Sequence, residues 1–206
     1  AEVIAQALTT MDLPRDAFQL VHGDAGVGRQ LVSDPRIRAI SFTGGGSAGR
    51  AVASAAAPHF TALQLELGGH NPAIVLHDAD VGLAASALVD GMTKLNGQWC
   101  EAPGKILVHE RLHDELVERL QEELAALSVG HCLDAGTDVG PLSHRSHLDH
   151  LQGLIDDLVH RGGKALAVND LPDLGGWFLA PTVVVGLAAT ESTRELFGPV
   201  LSVHSV

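Results

Sequence analysis

The chain has 206 residues, of which 46% are hydrophobic and 18% charged, and its formal charge is −12 at pH 7. That size allows one large domain or two small ones, and the composition suits a folded core, not a disordered segment. The acidic balance argues against a nucleic-acid partner, no apolar run is long enough to span a bilayer, and no secretory leader is expected at the start.

Ile4, Ala7, Leu8 and Met11 recur at helical spacing, which predicts a helix ending before Pro14. A strand-like run, Phe18 to Val21, leads into a glycine loop, His22 to Gly28. A short helix through Leu31 and Val32 stops near Asp34-Pro35, and Ile37 to Phe42 reads as a second strand. Thr43-Gly44-Gly45-Gly46 is a turn ahead of an Ala-rich helix, Ser47 to Ala57, that Pro58 ends. Leu63, Leu65 and Leu67 alternate with Gln64 and Glu66, the period of a strand with two different faces, and Gly68-Gly69 breaks it. Further on, Ala73 to Leu76 is a strand, and Asp80 caps a helix that runs to Leu95. Lys105 to Val108 is a strand. Leu116, Leu120, Leu124 and Leu127 stripe a helix whose polar face carries Glu110, Glu115, Glu118 and Glu122. Leu148, Leu151, Ile155 and Leu158 stripe another, capped by Gly162-Gly163, and Thr182 to Val185 and Val200 to Val203 are strands. Alternating helices and strands imply an α/β fold with a parallel sheet and helical crossovers. The expected division falls at Gly68-Gly69, giving domains of residues 1–68 and 69–206.

Asn96-Gly97-Gln98-Trp99-Cys100 is the stretch with most chemical content. A thiol on a loop beyond a helix end is accessible, and only an accessible thiolate acts as a nucleophile. The competing reading is a small semi-buried residue. Two cysteines, Cys100 and Cys132, form neither a disulfide framework nor a zinc quartet, so a reducing cytoplasm is the expected location, and Cys132 is assigned a structural role. Gly44-Gly45-Gly46-Ser47-Ala48-Gly49 fits G-x-G-x-x-G between a strand and a helix, with Glu66 placed to hold a ribose. The alternative is an ordinary glycine turn in a chain with 23 glycines; in either case amides at the helix start can face an anion. Glu66 has a second use: a carboxylate at a strand end, shielded from water, has a raised pKa and serves as a general base. Its ordinary reading is a solvated strand-end charge. His144, His147 and His150 sit at i, i+3, i+6, where a solvated helix face is favoured over a metal site. Glu195-Leu196-Phe197-Gly198-Pro199-Val200 puts a carboxylate and an aromatic ring before a rigid turn, which in itself reads as a helix terminus followed by a strand.

Taken together these motifs resemble the aldehyde dehydrogenase superfamily. Phe42-Thr43-Gly44 resembles its F-T-G-S turn, with Gly45 in place of Ser and Gly49 at the later glycine; Glu66-Leu67-Gly68-Gly69 with Asn71-Pro72 resembles E-L-G-G-x-x-P; and Gly97-Gln98-Trp99-Cys100 resembles G-Q-x-C. Cys100 follows Glu66 by 34 residues, the family's spacing, and Gly140-Pro141-Leu142, Pro181-Thr182 and Glu195-x-Phe197-Gly198-Pro199-Val200 follow in family order. The resemblance implies an aldehyde dehydrogenase-like fold, a partial parallel-sheet cofactor domain followed by a catalytic domain incomplete at its C-terminal end. It implies oxidation of an aldehyde to a carboxylic acid with NAD or NADP through a cysteine thiohemiacetal and thioester. Cys100 is then the nucleophile and Glu66 the base that activates water. Gly44 and Gly45 lie close to the cofactor, and Glu195 and Phe197 hold its nicotinamide ribose and ring. The implied full-length enzyme is a homo-oligomer that takes a small aldehyde. Leu95 stands where the family places Asn, and Glu101 directly after the thiol disfavours thiolate by charge. The chain matches the middle of such an enzyme, without the upstream oxyanion Asn or the Lys and Glu that contact the adenosine ribose. The alternative expectation is accordingly a truncated, catalytically inactive relative, and a third is a Rossmann reductase in which Glu66 binds ribose.

Overall fold

The computed structural model describes residues 1–14, 16–167, 170–171 and 173–206. They pack as two compact units, Ala1–Leu67 and Gly68–Val206.

The first unit contains α1 (Glu2–Thr9), α2 (Ala25–Val32), β1 (Ala39–Gly44), α3 (Gly46–Ala56) and β2 (Ala62–Leu67). Asp24 caps α2, its carboxylate accepting from the Gly26 amide at 2.7 Å. β1 and β2 pair in parallel, from Ala39 opposite Ala62 to Gly44 opposite Leu67, with α3 as the crossover. Phe18 to Val21 forms no strand, contrary to the expectation from its composition. A strand exists only where its amides and carbonyls find a partner ladder, and among the described residues of this unit β1 and β2 pair only with each other. Burial here is sparse: among the described residues of the unit only Gly49, Val52 and Ala56 are buried. β2 does not show the two distinct faces its alternation suggested, since Leu63 and Leu67 are exposed along with Glu66.

The second unit contains β3 (Pro72–Val75), α4 (Val81–Thr93), β4 (Lys105–Val108), α5 (His113–Ala125), α6 (Arg145–His160), β5 (Lys164–Ala167), β6 (Thr182–Val185) and β7 (Val200–Ser205). The sheet order is β3-β4-β7-β6-β5, and every neighbouring pair is parallel except β5 with β6. Successive side chains of a strand face opposite ways. Val183, Leu201 and Val203 therefore meet the α4 and α5 residues Leu88, Met92, Leu116, Leu120 and Leu124, while Val184 and Val200 meet Leu151, Leu154 and Leu158 of α6. Helices on both faces explain why β6 is apolar without alternation. Each fully buried leucine adds about 1.5–3 kcal/mol, so the α5 stripe alone anchors that helix. Asp80 caps α4, accepting from the Leu83 amide at 2.9 Å. Glu115, Glu118 and Glu122 are exposed on α5, as expected, but Glu110 lies in the short 3-10 turn before it.

Candidate active site

The loop after α4 is built from three consecutive residues with positive φ. Leu95 (51°), Asn96 (57°) and Gly97 (72°) reverse the chain, so the helix ends at Thr93, two residues before the expected Leu95. Asn tolerates this region and Gly is at home in it; a leucine held there costs about 1–3 kcal/mol. The buried Gly97 lies against the backbone of Gly198 and Pro199, at a spacing where any Cβ would overlap them. Trp99 Nε1 donates to the Gly91 carbonyl at 3.0 Å, tying the loop back to α4. Cys100 follows in a turn, exposed and free of any disulfide, which favours the accessible thiol over the semi-buried one.

Side-chain amides then fasten this loop to two others. Asn96 accepts from the Gly140 amide at 2.8 Å and donates to the Pro141 carbonyl at 3.2 Å. Gln98 Oε1 accepts from the Ser143 amide at 3.0 Å. Asn71 Nδ2 donates to the carbonyls of Cys100, at 2.6 Å, and Ala102, at 2.9 Å. The stretches that stood apart in the sequence, at 71, 96–100, 140–143 and 198–199, are therefore one interlocked set of loops.

Glu195 lies beside Gly68, where a Cβ would collide with its carboxylate, and it accepts a hydrogen bond from the Gly69 amide. Burial raises its pKa above the ordinary carboxylate value, and the Gly69 bond only partly offsets this. The segment from Glu195 to Phe197 is irregular, with no helix; the preceding 3-10 turn, Ala189–Glu191, has already closed. The Phe197 carbonyl faces His147 Nε2 at 2.6 Å, and the two rings meet edge-on at 6.1 Å. His147 is thus a packed contact of the Phe197 loop, which corrects the solvated face expected for the histidine triplet. His144 caps α6 through Nδ1, and His150 is exposed. Cys132 is exposed in the turn after Gly130.

In the first unit, Gly44 ends β1 and Gly45 precedes α3 without any side-chain cap, its Cβ direction open. Glu66 stands on β2 opposite Thr43, one register step from Gly44, and is exposed, so the shielding from water expected at this strand end is not present. Free amides at the start of α3 suit a phosphate, and a half-buried carboxylate with spare lone pairs at Glu195 suits ribose hydroxyls. Taken separately, each within its own unit, these groups are of the kind that suit a phosphate and a ribose of a dinucleotide.

Behind the site, His70 Nε2 lies 2.9 Å from Ser192 Oγ, Ser192 donates to Ser202 Oγ, and Ser202 donates to the Gly104 carbonyl. Ser192 spends its proton on Ser202, so His70 carries its own proton on Nε2 and donates it. His70 Nδ1 is buried with no partner among the described residues. Desolvation, then the charges of Lys105 and His204, lower the His70 pKa from 6.5 to about 4, and desolvation also lowers that of His204. Between these values the unfolded chain binds more protons than the folded one. Stability is therefore full above about 6.5 and falls as pH drops toward 4. Urea midpoints measured across that range should decline toward acid, and His70→Gln should flatten the decline; an equal slope in the variant would refute the assignment to His70.

An exposed thiol thus stands on a glycine-hinged loop that amide clamps fix beside a mostly parallel sheet. The chain belongs to the aldehyde dehydrogenase family, whose model matches residues 1–206; the family is one of oxidoreductases. A Staphylococcus aureus protein named for that family is 34% identical over 209 residues, covering 98% of this chain and 44% of the relative. Among solved structures, betaine aldehyde dehydrogenase from S. aureus, in complex with NAD+, superposes with a TM-score of 0.93 at 28% identity, over 99% of this chain and 42% of that one. Lactaldehyde dehydrogenase from Escherichia coli gives 0.91 at 32% identity, over 99% and 44%. The chain thus spans less than half the length of the relatives it matches. The α/β class read from the sequence is the fold observed. No helix among the described residues is long and apolar enough to cross a membrane.

Asn71 and Gln98 stand in the sequence only as letters within motifs, and His147 is hidden there because its partner is a main-chain carbonyl that no side-chain pattern reveals.

Proposed function

We propose that this chain carries the cysteine chemistry of an NAD(P)+-dependent aldehyde dehydrogenase that converts an aldehyde to its carboxylic acid. The observation that carries this reading is Cys100 itself, exposed at the end of a loop held on three sides by Asn71, by Gly140-Pro141 and by Gly198-Pro199. The thiolate attacks the aldehyde carbonyl, a C–S bond forms, and the carbonyl oxygen becomes an oxyanion. The Cys100 backbone N–H supplies one donor to that oxyanion. When bound, NAD(P)+ supplies the acceptor for the hydride that leaves the thiohemiacetal carbon. Glu66 takes a proton from the water that attacks the resulting thioester, and the acid departs as Cys100 recovers its sulfur electron pair. Gly44 and Gly45 would lie near the cofactor, and Glu195 and Phe197 would hold its nicotinamide ribose and ring. Residues 1–68 then belong to the cofactor domain and 69–206 to the catalytic domain. Two free thiols suit a reducing cytoplasm, and the full-length enzyme is a homo-oligomer.

The test is cofactor reduction, followed by NAD(P)H absorbance, when the purified chain is mixed with a panel of aliphatic, aromatic and hydroxylated aldehydes. Aldehyde-dependent reduction supports the reading, and a folded protein that reduces neither cofactor with any of them overturns it. A second reading, a relative that keeps the fold but binds cofactor poorly, is favoured by the sparse burial of the first unit. Tight calorimetric binding of NAD+ or NADP+ would count against it.

A further inference from the structure

We propose that Asn71 is a positioning residue for Cys100, one that fixes the turn carrying the thiol and draws off the negative end of that residue's own peptide. The proposal rests on the reading of Cys100 as the nucleophile.

A carboxamide nitrogen has two protons to donate. Asn71 gives them to two carbonyls of the same turn, Cys100 at 2.6 Å and Ala102 at 2.9 Å. Its own main-chain carbonyl accepts from the Gly104 amide at 3.2 Å. The turn between is closed by the Ala102 amide on the Trp99 carbonyl at 3.2 Å. The clamp stands on rigid ground, because Pro72 and Lys105, the residues that follow Asn71 and Gly104, are register partners at the heads of β3 and β4. Pro72 also keeps Asn71 in extended backbone. On the other side His70 is tied through Ser192 and Ser202 to the Gly104 carbonyl, and the Gly69 amide holds Glu195. Three consecutive residues of one loop thus each secure a different part of the site.

Two carbonyl oxygens converge on one nitrogen, and without that donor their partial charges repel each other within the turn that bears the thiol. A negative charge forming on Cys100 sulfur meets the same partial charge of its own carbonyl. Two N–H groups directed at those oxygens reduce that opposition and favour the thiolate. Aspartate, equal in shape, would lack the donors and add a charge of the wrong sign.

The experiment is alkylation of Cys100 by iodoacetamide, followed across pH by mass spectrometry. A Cys132→Ser background leaves a single thiol. Asn71→Ala should move the midpoint of the pH–rate curve upward by about half a unit to one unit, so that alkylation below the midpoint slows about three- to tenfold. Asn71→Ser, which keeps one donor, should shift it less, and Asn71→Asp more. A residue that only stapled the turn would alter the plateau rate or the melting temperature and leave the midpoint in place. An unchanged midpoint in Asn71→Ala overturns the proposal. Should that variant fail to fold, an unchanged midpoint in Asn71→Ser does so. Alkylation needs neither aldehyde nor cofactor, so it reports on Asn71 even where aldehyde oxidation fails to depend on Cys100.

Discussion

Replacing Cys100 with serine is expected to abolish aldehyde-dependent NAD(P)H formation while leaving the fold intact. A thiol has a pKa near ~8.5 and offers a fraction of thiolate at neutral pH, whereas a serine hydroxyl is not ionised there. The acyl intermediate changes as well, since an ester on serine transfers its acyl group to water less readily than a thioester. Together these should lower the rate at least about a thousandfold, roughly 4 kcal/mol of barrier. Cys100 is exposed, so exchanging its sulfur for oxygen disturbs no core packing. A shift within about 0.5 kcal/mol is expected for such a surface position. The pair of measurements is therefore NAD(P)H absorbance and a urea unfolding curve on the same preparation. A serine variant that matches the parent in rate would remove Cys100 from the mechanism. One that is inactive but also unfolded would contradict its placement in an exposed turn.

The sequence is most informative where one side of an element is buried. The leucines of α5 and α6 repeat at helical spacing because they fill the two faces of one sheet, and Asp80 announces α4 because a cap is a local interaction. Legibility fails where the cause is distant. β5, with the sequence Lys164-Ala165-Leu166-Ala167, has no β-branched residue and follows Gly162-Gly163; only its ladder with β6 makes it a strand. Phe18 to Val21 has strand composition but no ladder, and remains irregular. The end of α4 is set by positive φ at Leu95 and Asn96, and nothing about a leucine foretells that conformation. The motif residues could be picked out one at a time, yet their mutual contacts could not. Asn71 reaches a turn 29 residues away and Asn96 a loop 44 residues away, and pairing at such separations leaves no periodic trace.

Gly97→Ala should be the most destabilising single-methyl change in the second unit. Its φ of 72° already penalises a Cβ by about 1–2 kcal/mol. The added carbon would also overlap main-chain atoms of Gly198 and Pro199, which cannot rotate away as a side chain would. Forced displacement of packed backbone costs a further 1–3 kcal/mol or so, giving a total near ~3 kcal/mol. The strain does not stop there, because Pro199 leads directly into β7, the central strand of the sheet, and Phe197 precedes it. Pushing Gly198 outward moves both the strand entry and the Phe197–His147 contact. Gly153→Ala provides the matched control. That glycine lies within α6, has nothing within 4 Å of its Cβ position, and its replacement should stabilise by about 0.5–1 kcal/mol. Urea unfolding of the two variants beside the parent separates the cases: a lower midpoint for Gly97→Ala and a higher one for Gly153→Ala are expected. Should Gly97→Ala unfold within ~0.5 kcal/mol of the parent, the close approach of the Asn96-to-Cys100 loop to Gly198-Pro199 would be wrong. The positioning of Cys100 would then have to rest on the bonds of Asn71, Asn96, Gln98 and Trp99.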